Sequence, residues 1–279
     1  MTPQSIFKLV LLLGVVLMVT SIGIRARLEQ PLMLLKRPEL ALRSMVAMYV
    51  AVPAFVLLMV WLVPLREGVG AVLLGFAVSP VLPPWAKRGM AVGGRSDYVI
   101  GLQVLSSLAT TLVVPLMILI AARVFGVKAI LEPGSVEQVL LATVAIPLAL
   151  GLGLARLWPE TAPRLAVLAD RVGGMVLLLG AVSLLLLRSE AILGVLGRGT
   201  LLATLAVIAF GLFVGHRLGG PDPGNRAALA SATVSRHPAI ALLVATGAVP
   251  QHQPNLIGTV LLYLLSALLL PIPFQRKRP

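Results

Sequence analysis

Cysteine is absent from the 279 residues, so the chain has no disulfide, no catalytic thiolate and no thiolate ligand for a metal ion. Histidine is also rare, and its three copies lie far apart in the sequence, which disfavours a histidine metal site. The sequence shows no set of nucleophile, base and acid either. We therefore expect neither an enzyme nor a resident metal or cofactor.

Charged residues are scarce too, at 12% of the chain compared with about 25% in soluble domains. Hydrophobic residues make up 58%, and the mean hydropathy is +1.01. Because one membrane-spanning helix needs roughly 20 apolar residues, the chain has room for about eight to ten crossings. The sequence predicts an all-α integral membrane protein, with residues 1-279 forming a single polytopic membrane domain in the lipid bilayer.

Nine apolar segments are bounded by charged residues, glycine or proline, and we letter them A to I. Segments C and H each contain an internal break. Segment A is interpreted as a retained helix, because its apolar run continues through Ile24 without a signal-peptide cleavage site. The predicted segments are A 5-24, B 44-65, C 68-92, D 98-122, E 135-156, F 171-187, G 200-218, H 225-249 and I 254-273.

Acidic residues are few, and the 23 Lys and Arg residues against 10 Asp and Glu give a net charge of +13. In a soluble protein this excess would suggest nucleic acid, but here almost no charge lies within the apolar runs. With nine crossings, 16 basic residues fall on one side of the membrane and 6 on the other. By the positive-inside rule, this asymmetry predicts a multi-pass protein of the cell (inner) membrane with its N-terminus outside, its C-terminus cytoplasmic and no nucleic-acid partner.

The breaks in segments C and H contain residues that interrupt an α-helix. Segment C has Pro80, Pro83 and Pro84 within five residues, and each proline removes an amide donor and crowds a carbonyl one turn back. Segment H is interrupted by the run Ser235-Arg236-His237-Pro238. Backbone freed in this way is tolerated at membrane depth only where it is buried in protein or lines a wet cavity. Each break therefore indicates a candidate site.

The two breaks occupy matching places in the order of segments. Segment C is followed by D, and H is followed by I, so A to D and F to I correspond, with E between them. Segment A enters from outside and F from inside, which predicts inverted repeats over about 5-122 and 135-273. Paired interrupted segments in inverted halves indicate a secondary transporter whose site lies where the breaks meet. A channel or a membrane enzyme would not require this pairing.

Four stretches of the sequence follow one another in a characteristic order and spacing. They are Leu34-Leu35-Lys36-Arg37-Pro38 leading to a helix with Pro53, Ser79-Pro80, Asp97 with Gly101-Leu102-Gln103-Val104-Leu105-Ser106-Ser107 and Pro115, and Ser235-Arg236-His237-Pro238-Ala239-Ile240-Ala241-Leu242. Taken together, these stretches resemble the bile acid:sodium symporter family in a bacterial, nine-helix form, and the resemblance extends over nearly the whole chain. It implies a panel domain and a core domain in which two broken helices cross.

The resemblance also implies sodium as a coupling ion, held by a glutamate, a glutamine, an asparagine and hydroxyl groups. In this sequence those three positions fall near Thr233, His237 and Ala86. Segment H contains no carboxylate, although sodium favours hard oxygen ligands and negative charge. The sequence leaves open whether transport is coupled to sodium, coupled to protons or uncoupled.

Protein cations are candidates to replace the ion. Arg236 lies within an apolar segment, where a charged side chain costs about 2.5 to 3.5 kcal/mol, so it should face a partner or a cavity. We hypothesise that Arg236, Lys87 or both occupy the place of sodium, either holding the crossing permanently or pairing with an anion. The alternatives are a structural salt bridge or carbonyl contact for Arg236 and an ordinary inner-side charge for Lys87.

Neutral polar residues complete the predicted substrate and ion site. His237 could carry a coupling proton, since the unperturbed pKa of histidine is about 6.5, or could bond freed backbone. Gln103, Ser106 and Ser107 form a polar stripe on segment D that could line the site or pack helices through hydroxyl groups. The predicted binding residues are Arg236, His237, Thr233, Ser235, Lys87, Gln103, Ser106 and Ser107, and the predicted helix-breaking residues are Pro80, Pro83, Pro84 and Pro238.

The leading functional hypothesis is a secondary active transporter of an organic anion, such as a bile-acid-like or other carboxylate or a sulfonate. Its predicted partners are the small anion and the bilayer. The alternative is a non-transporting membrane receptor or partner subunit on the same fold. Saturable counterflow of a labelled anion separates the two, because a receptor would bind the anion without flux.

Overall fold

The computed structural model describes residues 3–25, 34, 36–82, 85–124, 138, 141–187, 189–197, 199–248 and 253–271. These residues form helices joined by short connections, and their one extended pairing is the bridge between Val81 and Arg236. The helices are α1 Pro3–Arg25, α2 Pro38–Leu62, α3 Val69–Val78, α4 Trp85–Ala91, α5 Ser96–Val124, α6 Leu141–Leu157, α7 Ala162–Leu187, α8 Ser189–Val195, α9 Thr200–Leu218, α10 Pro223–Val234, α11 Pro238–Ala248 and α12 Gln253–Leu269.

Local sequence signals set several helix ends. Helices α2, α10 and α11 each begin with proline, whose missing amide hydrogen is not needed in the first turn. The Oδ1 atom of Asp222 accepts a hydrogen bond from the Asn225 amide at 2.8 Å and so caps α10. Helix α2 contains a π-helical turn at Ala47–Ala51, and α6 begins with another at Leu141–Ala145.

The two broken segments are interrupted where the sequence predicts. Segment C is divided into α3 and α4, and segment H is divided into α10 and α11. The predicted start of segment B at 44 is wrong, because Pro38 opens the helix six residues earlier. The predicted start of segment F at 171 is also wrong, since α7 begins at Ala162 and carries its charged residues within its first turns. The short helix α8 was not predicted.

Helices α1, α6 and α7 pack together, and we call them the panel group. The approach of α1 to α6 depends on two glycines. A Cβ atom at Gly23 would lie 2.5 Å from the Leu148 carbonyl oxygen, and one at Gly151 would lie 2.8 Å from the Gly23 Cα atom. Small residues of this kind allow the close helix contacts typical of membrane proteins.

Helices α2 to α5 and α9 to α12 form a second assembly that we call the core group. Helix α3 is buried along its whole length, which explains why its sequence is apolar on every side. It lies along α11, whereas α4 lies along α10. The stacked rings of Phe76 and Tyr263, 3.9 Å apart at their centres, fix α3 against α12.

The four-residue spacing of Gly211, Gly215 and Gly219 predicts a close helix contact, and the structure confirms it for α9 and the glycine that follows its last residue. A Cβ atom at Gly215 would lie 2.6 Å from the Ala230 Cα atom of α10, and one at Gly219 would lie 2.5 Å from the Arg226 Cα atom. Helix α9 therefore supports the first half of the second broken segment. By length and composition, α2 and α9 are the two described helices able to cross a membrane.

Candidate functional site at the helix crossing

The unwound centres of the two broken segments pair with each other. The amide of Leu82 donates to the Ser235 carbonyl at 2.8 Å, and the amide of His237 donates to the Pro80 carbonyl at 2.9 Å. These bonds flank an antiparallel bridge between Val81 and Arg236. The prediction that the two breaks meet is therefore confirmed, and each break supplies hydrogen-bond partners to the other.

Proline and serine explain how α3 stops at this point. Pro80 lacks the amide hydrogen needed to continue the helix, but its carbonyl becomes an acceptor across the crossing. The Ser79 hydroxyl donates to the Phe76 carbonyl at 3.0 Å and satisfies one acceptor at the helix end. Pro238 occupies the first position of α11, where proline is favourable. Pro83 and Pro84 lie outside the described residues.

Arg236 is located at the centre of the crossing and is 1% exposed. Its Nη2 atom donates to the Met48 carbonyl of α2 at 2.7 Å and to the Ala77 carbonyl of α3. The guanidinium carbon lies 5.1 Å from the centre of the Tyr49 ring, within the range of a cation–π interaction. Of the two alternatives left open for this residue, the structure therefore shows the carbonyl contact.

Groups around Arg236 offset part of the cost of burying its positive charge. The carbonyl of Ala77 belongs to the last turn of α3, where the helix dipole has its negative end. In the described part of the chain, the Nε and Nη1 atoms have no hydrogen-bond partner, and no carboxylate pairs with the guanidinium. The charge is therefore held by backbone carbonyls and an aromatic ring.

Tyr49 is a site residue that the sequence interpretation missed. Its hydroxyl donates to the Ser106 carbonyl at 2.6 Å and lies 2.9 Å from the Thr110 hydroxyl. It belongs to the π-helical turn of α2, and such turns are frequent at functional sites. The available signal was a tyrosine within an apolar helix four residues before Pro53.

The polar stripe of α5 reaches the crossing through Ser106. Its hydroxyl accepts a hydrogen bond from the Val81 amide at 3.4 Å and donates to the Gln103 carbonyl at 2.9 Å. The hydroxyl of Ser107 also donates to the Gln103 carbonyl, at 3.0 Å. Gln103 is buried, and its Oε1 atom has no hydrogen-bond partner among the described residues. The stripe thus contributes the Ser106 hydroxyl directly to the crossing.

Thr233 and His237 are buried but differ in their contacts. The Thr233 hydroxyl donates to the Gly211 carbonyl of α9 and to the Ala230 carbonyl, both at 2.7 Å, so it is directed to the helix contact. The main-chain amide of His237 makes the bond across the crossing, whereas neither imidazole nitrogen has a partner in the described structure. Ser235 contributes its carbonyl to the crossing.

Lys87 is directed away from the crossing to the panel group. Its Nζ atom forms an ion pair with the Asp170 carboxylate of α7, and Arg25 of α1 lies 3.7 Å from the same carboxylate. The structure therefore separates the two predicted cations: Arg236 is within the core group, and Lys87 is at its boundary with the panel group.

Helix α4 of the first broken segment is also joined to helix α10 of the second. The Nε1 atom of Trp85 on α4 donates to the Ser231 hydroxyl of α10 at 2.5 Å. Two discontinuous helices that cross at unwound centres are an arrangement typical of secondary membrane transporters. The helical fold and the crossing of the two broken segments are therefore those of a membrane transporter.

The sequence matches the Sodium Bile acid symporter family over residues 12–196. This match covers more than half of the chain, and the protein therefore belongs to that family of multi-pass membrane transporters. None of the curated proteins matches the sequence. The predicted family is thus confirmed.

Proposed function

We propose that the protein is a carrier that moves an organic anion across the cell membrane by alternating access. In this proposal, nine spanning segments form two inverted repeats, and the panel group rocks against the core group around the crossing. The N-terminus lies outside and the C-terminus in the cytoplasm. The observation that carries the proposal is the pairing of Pro80 and Leu82 with His237 and Ser235 at the centre of two broken helices.

We further propose that Arg236 takes the place of the coupling sodium. A sodium ion at a helix crossing would be bound by oxygen atoms, and Arg236 already donates to two carbonyl oxygens there. The Thr233 hydroxyl, near the position of the expected glutamate, is used in a contact with α9. Carbonyls that would otherwise need a cation thus have one supplied by the protein, and transport proceeds without sodium.

The proposed substrate is a carboxylate or a sulfonate of the bile-acid type or smaller. The fixed positive charge of Arg236 favours an anion near the crossing, because the described core group has no buried carboxylate there to neutralise it. The unpartnered Gln103 Oε1 and His237 imidazole add polar atoms to the same region. Arg236 acts at this site through its long-range charge, since its side chain is buried.

The test is counterflow in proteoliposomes loaded with unlabelled cholate, taurocholate or short carboxylates, with the labelled form added outside. Sodium is compared with choline at constant ionic strength. We expect saturable counterflow at equal rates in the two salts, and equal thermal stability of the purified protein. A sodium-dependent rise in rate or stability would contradict the replacement of sodium by Arg236.

Two variants sharpen this test. Arg236→Gln removes the fixed charge while keeping polar atoms, and we expect it to abolish counterflow in choline. Arg226→Gln is a matched control, because this arginine lies on the same broken segment but donates to the His216 carbonyl at the exposed inner end. Binding of the labelled anion without flux in the unmodified protein would instead support the receptor.

A further inference from the structure

The Asp170 carboxylate lies at the boundary between the panel group and the core group. It belongs to α7 of the panel group, and its side chain is 10% exposed. Its two cationic neighbours come from different groups. Lys87 is on α4 of the core group, and Arg25 is the last residue of α1 of the panel group.

The ion pair of Asp170 with Lys87 differs from the other pairs found in the described residues. Arg43 pairs with Glu39 within α2, and Arg95 pairs with Asp97 at the start of α5. Both of those pairs lie inside the core group. The pair of Asp170 with Lys87 joins the two groups, so a relative movement of the groups must stretch or break it.

Helix α4 connects this ion pair to the helix crossing. The helix has seven residues, begins shortly after the unwound Val81 and Leu82, and is followed by Gly93, whose φ of 93° suits glycine. Trp85 on α4 is bonded to α10 next to the crossing. A movement of the crossing relative to α7 is therefore transmitted to Lys87 within two turns of helix.

The exposure of the charged groups suits a contact that opens and closes. The Lys87 and Arg25 side chains are 51% and 44% exposed, so both cations can be hydrated without the carboxylate. The segment order places all three residues toward the inner side, where the basic residues are concentrated. When Lys87 separates from Asp170, the charged groups thus become exposed to water at the inner side and do not remain unpaired in the hydrocarbon.

We propose that Asp170 is a gating residue of the transport cycle. Its ion pair with Lys87 holds the panel group against the core group at the inner side, and the pair breaks when the inner side opens. This inference rests on the proposed alternating-access function. Arg25, on α1, leaves Asp170 with a cationic neighbour within the panel group after Lys87 has moved away.

The test measures the separation of the two groups directly. Because the chain has no cysteine, the double variant Glu160→Cys with Ser96→Cys gives two spin-label sites without a background. Both positions are exposed, Glu160 beside the panel helix α7 and Ser96 at the first turn of α5. Distance distributions are recorded by pulsed electron resonance in nanodiscs, without an added anion.

In this background, Asp170→Asn and Lys87→Gln should each shift the population to longer separations. We expect the ratio of open to closed molecules to rise about 2- to 5-fold, the range expected for a half-exposed ion pair. Asp170→Glu keeps the charge and should retain the closed distribution. Asp97→Asn is the matched control, because it breaks an ion pair inside the core group and should leave the distribution unchanged.

Arg25→Gln tests whether Asp170 acts only on packing within the panel group. A shift with Arg25→Gln as large as that with Lys87→Gln, or no shift with Asp170→Asn, would overturn the gating proposal. The measurement needs no transport, so it can fail while counterflow succeeds. Conversely, a shift in distances without any counterflow would support the role of Asp170 in holding the two groups together and would refute the proposed transport function.

Discussion

The closest approach of the two broken segments predicts a strong effect of one added methyl group at Gly75. This glycine lies in the last turn of α3, where α11 passes over it. A Cβ atom there would lie 3.0 Å from both the Cα and the carbonyl carbon of Ala241, and closer still to its oxygen. The obstacle is backbone, so no side-chain rotation can relieve the contact.

The expected cost of Gly75→Ala follows from two opposing contributions. Overpacking costs about 1 to 3 kcal/mol, and the upper value applies because α3 and α11 must separate as units. Replacing a helical glycine with alanine gains about 0.5 to 1 kcal/mol. The net loss is about 2 kcal/mol, which at about 2 to 4 °C per kcal/mol lowers the melting temperature by about 4 to 8 °C.

Two glycines supply matched controls for this substitution. Gly153 on α6 and Gly174 on α7 have nothing within 4 Å of an added Cβ atom. Gly153→Ala and Gly174→Ala should therefore keep or slightly raise the melting temperature. The assay is the loss of monodisperse protein on size-exclusion chromatography after heating, since thiol-reactive dyes have no cysteine to label. Equal stability of Gly75→Ala and the two controls would refute the described contact of α3 with α11.

Three further hydrogen bonds are tested by substitution with the same thermal assay. Tyr49→Phe should cost about 1 kcal/mol by removing the bond to Ser106, and an unchanged melting temperature would contradict it. Trp85→Phe and Ser231→Ala should each lower the free energy of unfolding by about 1 kcal/mol, because each removes the same hydrogen bond. The double variant should therefore lose less than the sum of the two single losses. Strictly additive losses would argue against the shared bond. Asp222→Ala should cost about 1 kcal/mol through loss of the α10 cap, and Asp222→Asn should lose little.

The helix breaks were predictable from the sequence because proline acts locally. Pro80 and Pro238 prevent a continuous helix whatever surrounds them, so their effect is visible without tertiary information. The matching order of the breaks then indicated that they meet, and the bond from the His237 amide to the Pro80 carbonyl bears this out. The placement of Arg236 followed from a similar argument, since a charge within an apolar segment requires a partner.

Tyr49 and Asp170 could not be assigned in the same way. Tyr49 acts through contacts with Ser106 and Arg236, which are 57 and 187 positions away in the sequence. Asp170 precedes the apolar run of segment F, so the hydropathy pattern placed it outside the predicted helix. Its pairing with Lys87 depends on how the panel group packs against the core group, and that packing leaves no local pattern in the sequence.

A cation attached to the protein differs from a bound sodium ion in what it can drive. A coupling ion performs work because its differential binding shifts the conformational equilibrium and it then leaves on the opposite side. Arg236 can satisfy the Ala77 carbonyl but cannot dissociate from the chain. In the proposed carrier, it therefore stabilises the crossing in every state, and the anion moves down its own electrochemical gradient.

The direction of movement then depends on the membrane potential. An inside-negative potential of about 100 mV opposes entry of one negative charge by about 2.3 kcal/mol, which is roughly a 50-fold bias toward export. Accumulation of the anion inside the cell against this bias would require a co-transported cation. His237, the histidine at the crossing, is 3% exposed, and its imidazole has no hydrogen-bond partner among the described residues that would stabilise an added proton. We therefore expect the proposed carrier to work in the export direction, which needs no coupling ion.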